Sequence, residues 1–433
     1  MSELNLLTNT DWQILNVIHD KREADRGYIM RETGVSLAII STSINHLLGN
    51  KGDLKTAFIT KKEMPKRETK AGPAPVLYSV VPNVGYFLGI SVGQSYTKLA
   101  LIDFDFQVVE LKSNDGEEFS LETGTNMSTV LNNVRKLLSS LREQKPEMVE
   151  KLLGIGFACE GTIDCENKVA RYSSTMPFIK ELSIKDILGP SEMNFIEEHN
   201  LSLAMDNVPN CIATAELKVG NLSKYSSKSD TIDQDDYDDS AANHYRSRNE
   251  KHIVCLNIGT DISVSLILDG KVYRGMSNYS GCIEHFFVDV NYDELKTIPG
   301  FRVKDTDPYH NVGFLIANSI GKIDKQNAEQ KLTKEELEKV FEYSGTIIGK
   351  SLSYIINLLN PELIVLTGHN ADAFYDRFYP QIRESIGERT WRYGLEKLRF
   401  EKTLLSSNSA AIGAAINAYL ELVSSFNKKN TFM

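Results

Sequence analysis

The chain has 433 residues, 41% of them hydrophobic and 24% charged, with a formal net charge of −10; that is too long for one ordinary core and predicts two or three domains. No stretch approaches the roughly 18 uninterrupted apolar residues of a membrane span. The opening MSELNLLTNTDWQ has no basic n-region ahead of an apolar run, so the expected location is cytoplasmic, away from membranes.

The charge is uneven. Residues 1–70 hold 11 basic and 9 acidic residues, while the remainder holds 37 basic and 49 acidic. A neutral-to-basic head on an acidic body suits one small module that touches phosphate. The five cysteines, Cys159, Cys165, Cys211, Cys255 and Cys282, are scattered without a CxxC pair, and are expected to be free thiols.

The first segment carries three short helical patterns. TDWQILNVIHDK puts Trp12, Leu15 and Ile18 on one face, DRGYIMRET is a second short helix, and GVSLAIISTSINHLLGNKG is a tight turn followed by a third. Gly34 supplies the turn, Ser36 stands at the N-cap, and Ile40, Ile44, Leu47 and Leu48 make a buried stripe. The opposite face carries Leu37, Ala38, Ser41, Thr42 and Asn45. This is the helix-turn-helix order, and the strand-favouring LKTAFIT and APVLYSVV around the tip KKEMPKRETKAGP add a wing.

From Lys51 to Lys70 there are seven basic residues and three acidic ones. Alone, such a run reads as a solvated loop; beside a helix-turn-helix it reads as contact with the DNA backbone. Expected DNA contacts are therefore Ser36, Leu37, Ala38, Ser41, Thr42 and Asn45 on the helix, with Lys61, Lys62, Lys66 and Arg67 on the wing. The third helix has no Arg or Lys between Ser36 and Leu48, although Arg to guanine is the commonest base contact. Specificity then falls to Ser, Thr and Asn, to methyl contacts by Leu37 or Ala38, or to the wing.

The body begins near Gly85. YFLGISVGQSYTKLALIDFD reads as two apolar strands around a turn, LLGIGFACEGTID as a strand into a turn, and HIVCLNIGTDISVSLILDGKVYRG repeats the first pattern. Two strand–turn–strand elements, each followed by helical sequence, predict two related α/β halves. Between them residues 221–250 are polar with an acidic cluster, and read as a disordered insertion. The expected divisions are a winged helix-turn-helix domain over 1–82, a first α/β lobe over 83–220, the insertion over 221–250, and a second lobe with the closing C-terminal helices over 251–433.

LIDFD, GIGFACEGTID, GTDIS, RGMSNYSGCIEH, LNPELIVLTG and AAIGAA occur in this order behind a winged helix. With them the chain resembles, along nearly its whole length, the ROK family (repressors, open reading frames and kinases) of the actin-like ATPase superfamily, and within it the DNA-binding regulators of xylose and N-acetylglucosamine repressor type. The resemblance implies an α/β, two-lobed, sugar-kinase-like body with a cleft, carrying an N-terminal winged helix-turn-helix domain.

Set against the family's kinases, the chemistry is depleted. The first phosphate loop, DxGGT in the kinases, is SVGQS, so Ser91 and Gln94 replace an aspartate and a glycine; the second, GTGIG, is GTDIS, with Asp261 and Ser263 for glycines. An added carboxylate repels a triphosphate, and a side chain blocks the close backbone approach that glycine allows. In MDNVPNCIATAE, aligning Asn207 and Asn210 on the kinase ENDANAAA puts Val208 on the catalytic aspartate. A register shifted by one puts Asp206 there instead and moves Asn210 out of line. The family's zinc cysteines have no counterpart, since no cysteine follows Cys282. His285 remains, either as an interior histidine bonded to a neighbour or as an effector contact, and Cys282 falls on the sugar-contacting glutamate.

The reading is a DNA-binding repressor of carbohydrate-use genes, not an enzyme, with no cofactor and no metal. Its expected partners are a double-stranded operator, a sugar-like effector touching Asn207, Asn210, Ser280, Glu284 and His285, and a second copy in a homodimer or dimer of dimers. A kinase with a nonstandard base and an effector-independent DNA-binding protein are the alternatives.

Overall fold

A computed structural model describes residues 3–49, 54–63, 76–111, 119–220, 252–259, 262–289, 311–319, 332–405 and 408–431. The chain divides into two compact units, the first made of Met1–Ser247 with Asn408–Met433 and the second of Arg248–Ser407. Lys66, Arg67, Asp261 and the 221–250 insertion lie outside the described residues.

The head is a winged helix. Helix α1 (Asn9–Lys21) opens with a capping box in which Thr8 Oγ1 accepts from Asp11 N at 3.2 Å and the Asp11 carboxylate accepts from Thr8 N at 2.8 Å. Helix α2 (Arg26–Thr33) is capped by Asp25 and ends at Gly34, whose left-handed φ of 68° lets its N–H reach Met30 O at 2.9 Å. Helix α3 (Leu37–Leu47) starts after Ser36, which holds the extended N-cap backbone without a side-chain cap bond. Trp12, Leu15, Ile18, Ile40, Ile44 and Leu47 are buried as their spacing predicts, and Leu48 is half-buried. Strands β1 (Ile59–Glu63) and β2 (Val76–Val80) pair antiparallel to form the wing. Strand β1 starts later than LKTAFIT suggests because Leu54 and Phe58 turn into the core.

Asp11 has a second task. It is buried, and its carboxylate also accepts from the Ser43 hydroxyl and lies 3.0 Å from His46 Nδ1, which fastens α1 to α3.

The first unit continues as a sheet in the order β11-β7-β3-β4-β5, with β6 also paired to β4. Its strands are β3 (Tyr86–Val92), β4 (Tyr96–Asp103), β5 (Val108–Val109), β6 (Ser120–Glu122), β7 (Leu152–Cys159) and β11 (Ser202–Asn207); β8 (Thr162–Asp164), β9 (Val169–Tyr172) and β10 (Lys180–Ser183) form a small separate sheet. Strands β3 and β4 are the predicted hairpin, and β7 and β11 join it in parallel. Alternate residues serve opposite faces. Leu88, Ile90, Ile155 and Phe157 share a core with Val130, Val134 and Leu137 of helix Met127–Gln144.

The other face receives helix Ser409–Thr431. A Cβ on Gly89 would stand 1.8 Å from Ala411 O, and one on Gly156 1.8 Å from Ala414 O, so helix backbone lies directly on sheet backbone. This corrects the sequence-based division, which grouped the C-terminal helix with the second lobe. Its small residues pack on β3, β7, β11 and helix Val208–Lys218 of the first unit.

The second unit repeats the arrangement. Its sheet runs β14-β13-β12-β15-β16, with hairpin β12 (Ile253–Ile258) and β13 (Ile262–Leu268), β14 (Lys271–Tyr273) outside β13, and β15 (Leu363–Thr367) and β16 (Arg399–Lys402) added in parallel. Helices Lys334–Leu359 and His369–Arg389 pack together over Phe341, Ile348, Leu352, Phe378 and Ile382.

Gly156→Ala is expected to cost about 3 kcal/mol or more, because the neighbouring atom is helix backbone that cannot rotate away. Urea denaturation of the full chain checks this, and a midpoint equal to wild type would contradict it.

Candidate functional site

Helix α3 turns Ile40, Ser43, Ile44 and Leu47 inward. Ala38, Thr42 and Asn45, spaced i, i+4, i+7, therefore centre the outward face. Ser36, Leu37, Ala38 and Thr42 are exposed, and Ser41 and Asn45 are half-buried. Ile39, which the pattern reading passed over, is also exposed. Lys61 and Lys62 stand exposed on β1, opposite Tyr78 and Leu77.

Two further cations escaped the sequence reading. Arg26 and Arg31 on α2 are exposed, with Arg26 5.8 Å from the Tyr78 ring centroid and Arg31 5.7 Å from that of Tyr28. The available signal was their place on the first helix of a helix-turn-helix, the one that crosses the DNA backbone.

The head is fastened to the body by α1. Trp12 stacks on Phe426 at 5.4 Å and meets Tyr419 edge-on. His19 lies wholly buried against Phe106, Phe104 and Tyr419. Its Nε2 is 2.7 Å from Phe104 O and its Nδ1 3.0 Å from the Tyr419 hydroxyl. A carbonyl only accepts, so Nε2 carries the proton of the neutral ring. The Tyr419 hydroxyl is also 2.8 Å from Asn16 Oδ1. Arg22 closes the junction by donating to Asp105 O at 2.7 Å and Lys218 O at 3.1 Å, and Lys218 pairs with Asp20. Burial pushes the His19 pKa down to about 3 and that of Asp105 up to about 6, the latter opposed by Arg22.

The candidate effector residues fall in both units. In the first, Asn207 ends β11 and caps helix Val208–Lys218, its Oδ1 accepting from Asn210 N at 2.8 Å. The Asp206 carboxylate accepts from Asn207 N at 2.8 Å and from Asn210 Nδ2 at 3.0 Å. Asn210 Oδ1 is buried with no hydrogen-bond partner among the described residues. Val208 is buried in an apolar cluster with Ala158, Cys211, Ile212, Ala410 and Ala414, and its own side chain cannot accept a proton. Thr214 joins this corner to the C-terminal helix, donating to Asn210 O at 3.0 Å and lying 3.3 Å from Asn417 Oδ1, while Asn417 Nδ2 reaches Cys211 Sγ at 3.5 Å.

In the second unit, Ser280 donates to Tyr273 O, and His285 Nε2 is 3.3 Å from the Tyr279 hydroxyl and 3.8 Å from Glu284 Oε1. His285 is exposed, which corrects the interior-histidine alternative: its short helical turn, Ile283–His285, buries Ile283 instead. Burial, reinforced by Glu284, pushes the Cys282 thiol up to about 12, so it stays protonated. Among the described residues no cluster of three His, Cys, Asp or Glu side chains suits a metal ion. Ser91 is buried within β3, and the Ser263 hydroxyl accepts from Asn257 Nδ2 at 3.2 Å where the kinases have glycine.

A winged helix ahead of a twice-repeated hairpin-and-parallel-strand body is the fold of ROK regulators, and its body is that of actin-like sugar kinases. Similarity to known proteins points the same way, although not from every side. No protein-family profile matches the chain. It is 21% identical over 440 residues to the xylose repressor of Caldicellulosiruptor bescii, covering 95% of each chain. Among solved structures, a ROK family transcriptional regulator homologous to the Escherichia coli MLC protein superposes with a TM-score of 0.65 at 16% identity, covering 98% of this chain and 99% of that one. A ROK family glucokinase from Streptomyces griseus gives 0.53 at 13% identity, over 78% of this chain and all of that one. The resemblance to ROK regulators read from the motifs thus holds along the whole chain. No described helix is long and apolar enough to cross a membrane.

The junction predicts a pH signature. His19 stays neutral when folded but takes a proton when unfolded below its ordinary 6.5, so it removes stability as pH falls from 6.5 towards 3, by at most about 1.4 kcal/mol per unit. Asp105, raised to about 6, acts in the opposite sense between 6 and its ordinary 3.8. The stability gap between wild type and His19→Gln should therefore narrow on acidification from pH 7 to 4; a constant gap in urea titrations would exclude a buried neutral imidazole.

Proposed function

We propose that the chain is a sequence-specific DNA-binding repressor of carbohydrate-use genes whose kinase-like body binds a sugar or sugar derivative without phosphorylating it. The head reads duplex DNA: α3 enters the major groove, and Arg26, Arg31, Lys61 and Lys62, with Lys66 and Arg67 from the sequence between β1 and β2, hold phosphates. The observation that carries the non-catalytic part is Val208, sealed in an apolar cluster where the resemblance puts the kinase base. The xylose repressors among its relatives support the regulatory part.

In the body, Asn207 and Asn210 are the proposed hydroxyl-directed contacts of the first unit, and Ser280, Glu284 and His285 those of the second. The buried, unpaired Asn210 Oδ1 favours a polar ligand at that corner, because an orphaned buried acceptor costs about 1–3 kcal/mol. The repressor works as a homodimer or dimer of dimers, matching two-fold symmetric operators.

Two measurements test this reading. Lys61→Ala and Lys62→Ala should weaken binding to all duplexes alike, each flattening the plot of log affinity against log salt by about 1. D-xylose should raise the melting temperature of the full chain and release it from operator DNA, whereas ATP-dependent formation of a sugar phosphate by the purified chain would overturn the proposal.

A further inference from the structure

We propose that α3 reads thymine methyls and adenine edges, so that the base pairs it contacts in each operator half-site are A·T, with Ala38 and Thr42 as methyl contacts and Asn45 as the adenine contact. This rests on the DNA-binding reading above and specifies its target.

The argument begins with what the helix lacks. Leu37–Leu47 contains no Lys, Arg, Asp or Glu. In the major groove, guanine is read by Arg or Lys on O6 and N7, and cytosine by a carboxylate accepting from N4. Neither tool is present on α3. Ser43 is buried with its hydroxyl on the Asp11 carboxylate, and half-buried His46 holds its Nδ1 3.0 Å from the same carboxylate.

What remains outward is apolar or amide, apart from the hydroxyls of Ser36, Ser41 and Thr42, which favour no single base. Thr42 is exposed, and its hydroxyl donates to Ala38 O at 3.1 Å. That bond spends its one hydrogen inside the helix, so the hydroxyl can only accept from a partner, and the γ-methyl is its apolar contact. Ala38, one turn earlier, adds a second methyl, and Asn45 adds the only side-chain amide on the helix. Leu37 and Ile39, 49% and 52% exposed, flank this face with further hydrocarbon. Methyl groups match the thymine 5-methyl, and an asparagine amide matches adenine N6 and N7. The partner is a nucleic acid rather than an apolar protein surface because the exposed cations Arg26, Arg31, Lys61 and Lys62 lie on the helix and wing beside this face. Those cations fix register on phosphates and carry no sequence information, so discrimination falls to α3.

The test uses the full chain. Duplexes are first selected from a random library, and single thymines of the enriched site are then replaced by deoxyuridine, which keeps every hydrogen bond and deletes the methyl. Enriched half-sites of A·T pairs are expected, with at least one thymine whose replacement weakens binding about fourfold, the weight of one buried methyl. Thr42→Ser, which keeps the hydroxyl bond to Ala38, should lose a similar factor on the thymine duplex and become insensitive to deoxyuridine there. Thr42→Val should bind as wild type, and Asn45→Ala should lose roughly tenfold or more and accept other pairs at one position. Unchanged melting temperatures establish that the variants fold. Half-sites with obligatory G·C pairs in the stretch contacted by α3, or indifference to deoxyuridine at every thymine, would overturn the inference while leaving DNA binding intact. Failure to enrich any duplex would remove the DNA-binding reading and this inference with it.

Discussion

The first unit is organised by one constraint: the C-terminal helix lies on the sheet with backbone against backbone. Only glycine at 89 and 156 permits it, and Gly413 repeats the condition on the far side, where a Cβ would stand 1.7 Å from Cys211 O. The helix is thereby held between the central strands and helix Val208–Lys218. Helix, sheet and the Asp206–Asn210 corner have no freedom to settle separately, since each close approach leaves no side chain that could rearrange. Interiors packed this tightly pass displacements on rather than absorbing them.

The same helix also holds the head. Asn417 and Tyr419 are two positions apart, about 200° around a helix. One reaches Thr214 and Cys211 beside the corner; the other meets Asn16, His19 and Trp12 of α1. The centre of the junction is aromatic and buried, with His19 spent on Phe104 O and Tyr419, while Arg22 at its partly exposed edge holds two main-chain carbonyls and the Asp105 carboxylate. It resembles a domain core more than a tether. The winged helix is here part of the body that carries it.

How much of this was legible in the sequence depends on range. Period-3.6 stripes placed Ile40, Ile44 and Leu47 inside α3, and repeated apolar hairpins announced two related sheets, because these are properties of neighbours in the chain. Gly34 was legible for the same reason, as a turn needs its glycine in place. Asp11 was not: its grip on Ser43 and His46 spans more than thirty residues. Nor was His19, whose partners are Phe104 and Tyr419. Grouping the last helix with its sequence neighbours failed because its small residues announce a close contact without saying against what. At the candidate effector corner, Asn207 and Val208 were legible through motif order, but not the orphaned oxygen of Asn210, which only a packed structure reveals.

The chain contains two tryptophans. Trp12 is buried in the junction against Phe426, and Trp391 is 72% exposed on the second unit. An indole held in a dry aromatic stack and one bathed in water emit at different wavelengths. The molecule therefore carries its own optical gauge of whether the head remains seated, one that needs no attached label.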